Sequence, residues 1–165
     1  MNQSSRPKKT SEKPASHLAQ LLNPKQLFCL DLASLEQLYE EAYRLYHGGQ
    51  YESASHLFRL LTYLDSHNAS YPMGLAASLQ MMGQWAIAID SYRLCCSIDP
   101  NDPLPHFHLA HCYLQTGQTL LALSSLQAAI AHCPKGSQAH QLLRNRAQLM
   151  LASIQEQIGK PQASH

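Results

Sequence analysis

Charge is what this sequence has least of. Asp, Glu, Lys and Arg make up 14% of its 165 residues, against roughly 25% in an average globular protein. A disordered, self-solvating chain needs more charge and fewer apolar residues than the 45% found here. Neither sign prevails: twelve basic against eleven acidic residues leave a net charge of +1. That excludes the basic stripe of a nucleic-acid binder, so nucleic acid is not expected as a partner. The five cysteines are odd in number and show no CxxC spacing, which argues against a disulfide or zinc-ribbon framework. Free thiols fit a reducing cytoplasm. No run approaches the ~20 apolar residues of a membrane span, and the apolar stretch at 17–22 behind Lys8 and Lys9 is too short for a signal sequence. The expectation is one small soluble cytoplasmic domain without stable membrane insertion.

What the chain does have is a repeat. Gly49, Gly83 and Gly117 stand 34 residues apart, each followed by Gln. Ala54, Ala88 and Ala122 follow five residues after each Gly, and Phe58, Tyr92 and Leu126 four residues after those. Ala42, Ala76 and Ala110 precede each Gly by seven, and Pro100 and Pro134 keep the same period. A 34-residue period with small and large residues in these slots is the tetratricopeptide pattern. Each unit reads as a helix–turn–helix. The Gly ends the first helix in a left-handed conformation. The small residues let the helices approach, the large one fills the space to the next repeat, and Pro stops the second helix.

The predicted fold is therefore all-α: a superhelix of three repeats at 35–68, 69–102 and 103–136. First helices are predicted near 35–48, 70–82 and 104–116, and second helices near 51–64, 85–98 and 119–132. Ser137 is a good N-cap for a last helix over about 138–158, the cap that a solenoid end needs, so 137–159 forms a capping segment and 160–165 a tail. Residues 1–14 are rich in Ser, Lys and Pro and read as a disordered tail. Residues 15–34 are apolar and read as a helical arm, with Asn23-Pro24 as a helix start. Its Leu21, Leu22, Leu27, Phe28 and Leu30 form either a cap on the first repeat or a dimerisation surface, and both readings stay open.

In stacked helix pairs the first helices line the concave side. That places Tyr39, Tyr43 and Tyr46 in the groove, followed by Met73, Ala77 and Gln80, then Phe107, His108 and His111. The three tyrosines follow i, i+4, i+7 spacing and share one helix face, while Leu38, Ala42 and Leu45 take the core side. Tyr offers area at low entropy cost and Met adapts its shape, so this groove suits an extended apolar peptide. A carboxylate clamp, the other common use of this fold, needs Lys, Asn and Arg where this chain has Tyr39, Tyr43, Gly74, Leu104 and His108. The repeats hold four basic against eight acidic side chains, the wrong balance for an acidic ligand.

Chemistry-bearing motifs are sparse. His106, His108, His111 and Cys112 have the look of metal ligands, but zinc needs them convergent, and groove lining and helix packing are the expected roles; no metal or cofactor is expected. Cys95 takes a small-residue packing slot and reads as a buried structural thiol. No GxSxG, P-loop, GxGxxG or HExxH motif occurs, so the chain is read as non-enzymatic.

Several motifs go beyond the generic repeat. They are Leu35-Glu36-Gln37-Leu38-Tyr39, Gly74-Leu75-Ala76-Ala77, Met82-Gly83-Gln84-Trp85 and Pro105-His106-Phe107-His108 followed by Ala110. Over about 25–150 they resemble the class II chaperones of type III secretion, the translocator chaperones. The resemblance implies a chaperone that holds hydrophobic translocator proteins in the bacterial cytoplasm until export. It implies binding of an extended Pro-x-Leu-x-x-Pro-type segment along the concave groove, with the family's groove aromatics falling on Tyr39, Tyr43 and Tyr46. It also implies a homodimer through the N-terminal segment, although the Lys-rich N-terminus and short Leu-rich arm depart from the family pattern. The alternative is a tetratricopeptide scaffold joining proteins in another bacterial assembly or regulatory complex.

Overall fold

The recurring Gly-Gln pair sets the architecture. In a computed structural model that describes residues 31–134 and 136–159, Gly49, Gly83 and Gly117 have φ of 76°, 71° and 73°. A side chain with a Cβ rarely adopts that conformation. Each Gly N–H reaches back to the carbonyl three residues earlier, and the Gln after it reaches back five: Gln50 to Leu45, Gln84 to Leu79 and Gln118 to Tyr113. This is the paired Schellman arrangement that closes a helix on its own last carbonyls. The same glutamines open the next helix, because their carbonyls accept from the N–H groups of Ala54, Ala88 and Ala122 at 3.0 Å.

Seven helices follow among the described residues, with no strand: α1 (Leu32–His47), α2 (Tyr51–Leu64), α3 (Ser70–Met81), α4 (Trp85–Ile98), α5 (Pro103–Gln115), α6 (Thr119–His132) and α7 (Gln138–Gly159). The three second helices have the bounds expected from sequence. α1 begins three residues before the expected start, because Asp31 caps it: its Oδ1 accepts from the Ser34 N–H at 2.8 Å and the Ser34 hydroxyl at 2.6 Å. Asp102 caps α5 in the same way, accepting from the Leu104 N–H at 2.9 Å. Pro103 takes the first helical position, where its missing N–H costs nothing.

Ala42, Ala76 and Ala110 on the first helices, and Ala54, Ala88 and Ala122 on the second, are completely buried. Phe58, Tyr92 and Leu126 fill the spaces between repeats with at most 2% exposure. Leu38, Ala42 and Leu45 take the core side of α1 as expected. The deepest core residues of α1 are Leu35 and Ala42, while Leu38 and Leu45 are half-buried and pack at the core margin. Leu35 joins them one turn nearer the N-terminus, inside the helix that Asp31 caps. α7 buries Ala147 and Ile154 against the stack, with Leu143, Met150 and Leu151 flanking them. The Arg144 guanidinium donates to the Cys133 carbonyl and ties this helix to the end of α6. The expected arm residues Leu21, Leu22, Leu27, Phe28 and Leu30 lie outside the described residues.

Candidate peptide-binding groove

Tyr39, Tyr43 and Tyr46 come to one wall of a cavity of about 470 Å³. Helical spacing puts them on one side of α1, and the side chain at each position leans over the preceding turn. Met73, Gly74 and Ala77 of α3 form the opposite wall, and Leu104 and Pro105 close one end. The aromatic packing is continuous. The Tyr39 ring lies 6.3 Å from Tyr43, 6.0 Å edge-on from Phe58 and 5.7 Å from Tyr71, and Tyr46 meets Tyr51 at 5.5 Å. These separations suit offset and edge-to-face ring pairs. Tyr39 is thus held from three sides, while Tyr43 is 52% exposed and presents its ring to solvent. Burial, then the neighbouring phenols, raises Tyr39 and Tyr46 above the ordinary tyrosine range. Their hydroxyls stay protonated and available as donors.

Gly74 is there for space. A Cβ at this position would overlap the Phe58 ring, and that ring is 2% exposed with Tyr39 against it. Gly74→Ala is expected to destabilise the fold by ~1–3 kcal/mol, the usual range for overpacking. Urea unfolding would read it as a lower midpoint at unchanged slope; an unchanged midpoint would mean that Phe58 has room to turn.

The remaining groove candidates lie elsewhere. Gln80 is not in the cavity: its Oε1 accepts from the Tyr92 hydroxyl at 2.7 Å and faces the Cys112 thiol at 3.8 Å. Phe107 is 7% exposed beneath the Arg146 guanidinium, 5.4 Å from its ring centre. His108 stacks on Tyr92 at 5.5 Å with the planes 9° apart, and His111 sets its ring edge-on to Trp85 at 5.7 Å. Burial, helped by His111 and Arg146 and opposed by Asp102, holds His108 down at about 4. His106 turns away toward Cys96 at 3.6 Å and His132 at 5.4 Å. The four candidate metal ligands therefore point in different directions, and no group of three or more His, Cys, Asp or Glu among the described residues could hold a metal ion. Cys95 is fully buried, donates to the Ser91 carbonyl at 3.3 Å and is pushed up to about 12 by burial, an inert packing thiol.

Two charged lining residues escaped the sequence reading. Asp99 and Asp102 stand at the cavity's edge, in the connection between α4 and α5 rather than on a first helix. The helix-face pattern could not find them. The available signal was the acidic balance of the repeats. No basic side chain lines the cavity.

The helix pairs and the aromatic-lined cavity between their first helices define a tetratricopeptide superhelix. The tetratricopeptide-repeat family model matches residues 35–68 and 71–102. The low calcium response locus protein H of Yersinia pseudotuberculosis is 38% identical over 124 residues, covering 73% of this chain and 71% of that protein. The Yersinia enterocolitica type III secretion chaperone SycD, solved in complex with a peptide of the translocator YopD, superposes with a TM-score of 0.74. It is 35% identical, over 77% of this chain and 96% of the other. A type III secretion complex from Aeromonas hydrophila gives a TM-score of 0.81 at 30% identity, over 90% of this chain and all of the other. The chain belongs to the class II translocator chaperones of type III secretion.

Proposed function

We propose that this chain is a holding chaperone that binds hydrophobic translocator proteins in the bacterial cytoplasm before export. The observation that carries this is the tyrosine cavity on the concave face. It is apolar, open and roomy enough for one or two aliphatic side chains, and Tyr43 is left exposed where a ligand would cover it. The SycD relative was solved with a translocator peptide, which supports an extended peptide as the ligand class. Translocators carry membrane-inserting segments that expose apolar surface and aggregate or insert early. Seating Leu or Val anchors among the tyrosines gains roughly 25 cal/mol per Å² of apolar area removed from water. Ordering an extended segment offsets part of that gain, which sets micromolar to sub-micromolar affinity. Asp99 and Asp102 at the rim disfavour an acidic peptide. No helix among the described residues is long and apolar enough to cross a membrane.

The test is a pull-down from the native bacterium with wild type beside a Tyr39→Ala/Tyr43→Ala variant. One or two hydrophobic secreted proteins are expected with wild type and not with the variant. Calorimetry with the captured client should show Tyr43→Ala weakening binding by ~1–3 kcal/mol, a hot-spot magnitude. A folded variant with unchanged affinity removes the cavity from the binding site. Capture of soluble proteins unrelated to secretion would instead mark a scaffold.

A further inference from the structure

The tyrosine cavity does not end at Tyr39. Tyr39 and Ser70 also line a second cavity, of about 370 Å³, between the N-terminal halves of α1 and α3. The shared lining makes the two hollows direct neighbours. The rest of the second lining is Leu32, Glu36 and Glu40 of α1, with Asn68 and Tyr71. Its apolar part centres on Tyr71, which is 5% exposed and packs on the Tyr39 ring at 5.7 Å. Its polar part is unlike anything among the tyrosines. Glu36 and Glu40 stand one helical turn apart on the same face of α1, and no cation lines the cavity.

Like charges at this spacing repel one another, and the cation placed to relieve them is engaged elsewhere. Arg44 stands one turn after Glu40, yet its guanidinium donates to Glu41 at 2.8 and 2.6 Å. Among the described residues neither Glu36 nor Glu40 has an ion pair. Hydroxyl and amide groups lie where the two cavities meet. Asn68 Oδ1 accepts from the Ser70 N–H at 3.0 Å, which leaves the Asn68 amide N–H groups to donate. The Ser70 and Tyr39 hydroxyls are further donors. An extended main chain crossing from one cavity to the other needs such partners for its carbonyls. We infer that the second cavity receives a Lys or Arg side chain of the client, its aliphatic stem against Leu32 and Tyr71 and its charged head at Glu36 and Glu40. Glu36 lies two turns of α1 before Tyr43, about 10 Å. An extended chain rises ~3.3 Å per residue, so the basic residue falls at least about three residues from the apolar anchor. The inference rests on the proposed function and deepens it: the client segment pairs its apolar anchor with a nearby cation.

The experiment uses the full chain and fluorescent synthetic peptides built on Pro-Ser-Leu-Ser-Ser-Pro. Two forms carry a Lys pair just outside one Pro or the other, about three to five residues from the Leu; their controls carry Gln at the same places. One Lys peptide is expected to bind about 5-fold more tightly than its Gln control at low salt, the upper end for a partly exposed pair. The gain should shrink as salt is raised. It should vanish in Glu36→Gln/Glu40→Gln, which binds the Gln peptides as wild type does, and fall partway in Glu40→Gln alone. Both glutamates are exposed, so these variants should keep their circular dichroism. Equal binding of Lys and Gln peptides by wild type overturns the inference. So does a gain that survives the double variant, or one that is lost in Asp99→Asn instead, which assigns the cation to the other rim of the tyrosine cavity. If a gain appears only after Arg6, Lys8, Lys9, Lys13 and Lys25 are all replaced by Gln, a basic side chain of the chain itself holds the cavity, and the inference falls. Tyr43→Ala tested with the Gln peptides reports on the tyrosine site alone: unchanged affinity there sinks that site, and the Lys-against-Gln comparison is scored separately.

Discussion

Tyr92→Ala is expected to lower the unfolding free energy by roughly 3–5 kcal/mol, a large share of what a domain of this size has. Tyr92 is completely buried between the second and third repeats. It stacks on His108 and donates its hydroxyl to Gln80. Burial first, then the nearby Cys112, raises the phenol well above its ordinary range, so it stays a donor. Truncation leaves a cavity at a junction where both neighbours are helices braced by their own turns, so little collapse can fill it. Tyr92→Phe keeps the packing and loses one hydrogen bond, about 1 kcal/mol; Gln80 Oε1 keeps the Cys112 thiol nearby. Urea midpoints of the two variants separate packing from hydrogen bonding. Equal losses would mean that the polar bridge, and not the ring, holds this junction.

Acid is expected to weaken the fold at the same junction. His108 is held down at about 4, whereas an unfolded chain titrates near 6.5. Between those values the unfolded state binds more protons than the folded one, so stability rises with pH. The stabilisation from a neutral His108 is therefore fully present above about 6.5 and is lost as pH falls toward 4. The loss is roughly 2 kcal/mol at pH 5 and up to roughly 3 kcal/mol below 4. The ring is faced by Tyr92 from α4, by Phe107 and His111 from its own helix, and by Arg146 from α7, with Asp102 the one nearby charge that favours protonation. His108→Gln should flatten the acid side of the urea-midpoint profile between pH 7 and 5. A profile as steep as wild type would place the responsible group elsewhere.

The repeats were legible because each is enforced by a single residue's physics. A glycine at positive φ and alanines with no accessible surface leave few substitutes, so their 34-residue spacing shows through otherwise divergent sequence. The tyrosine wall was legible for a similar reason: three large residues on one helix face, opposite the face that packs. The middle of the groove was harder to read. Phe107, His108 and His111 occupy groove positions by register, yet α7 and α4 pack close enough to cover or stack on them, and register carries no information about a neighbour on another helix. The three-residue extension of α1 was missed because the helix start depends on one cap, Asp31. Asp99 and Asp102 were missed because they stand in the connection between repeats, off the first-helix faces from which the groove was read.

The shared glutamines have a mechanical result. Gln50, Gln84 and Gln118 each end one helix with their N–H and begin the next with their carbonyl, so each antiparallel pair is cross-braced into one plate. The joints between plates lie at 65–69 and 99–102. There the turns are held by a few short-range bonds, such as Asn101 N–H to Asp99 at 3.1 Å and His67 N–H to Asp65 at 3.3 Å. Ala69, Asp99 and Asp102 belong to those joints and also border the tyrosine cavity. Over a helix of about 20 Å, a plate tilt of about 5° moves the far wall by roughly 1–2 Å, about the difference between a Val and a Leu side chain. The same joints that link the repeats thus border the cavity, and a tilt between plates there would change the distance between its two walls.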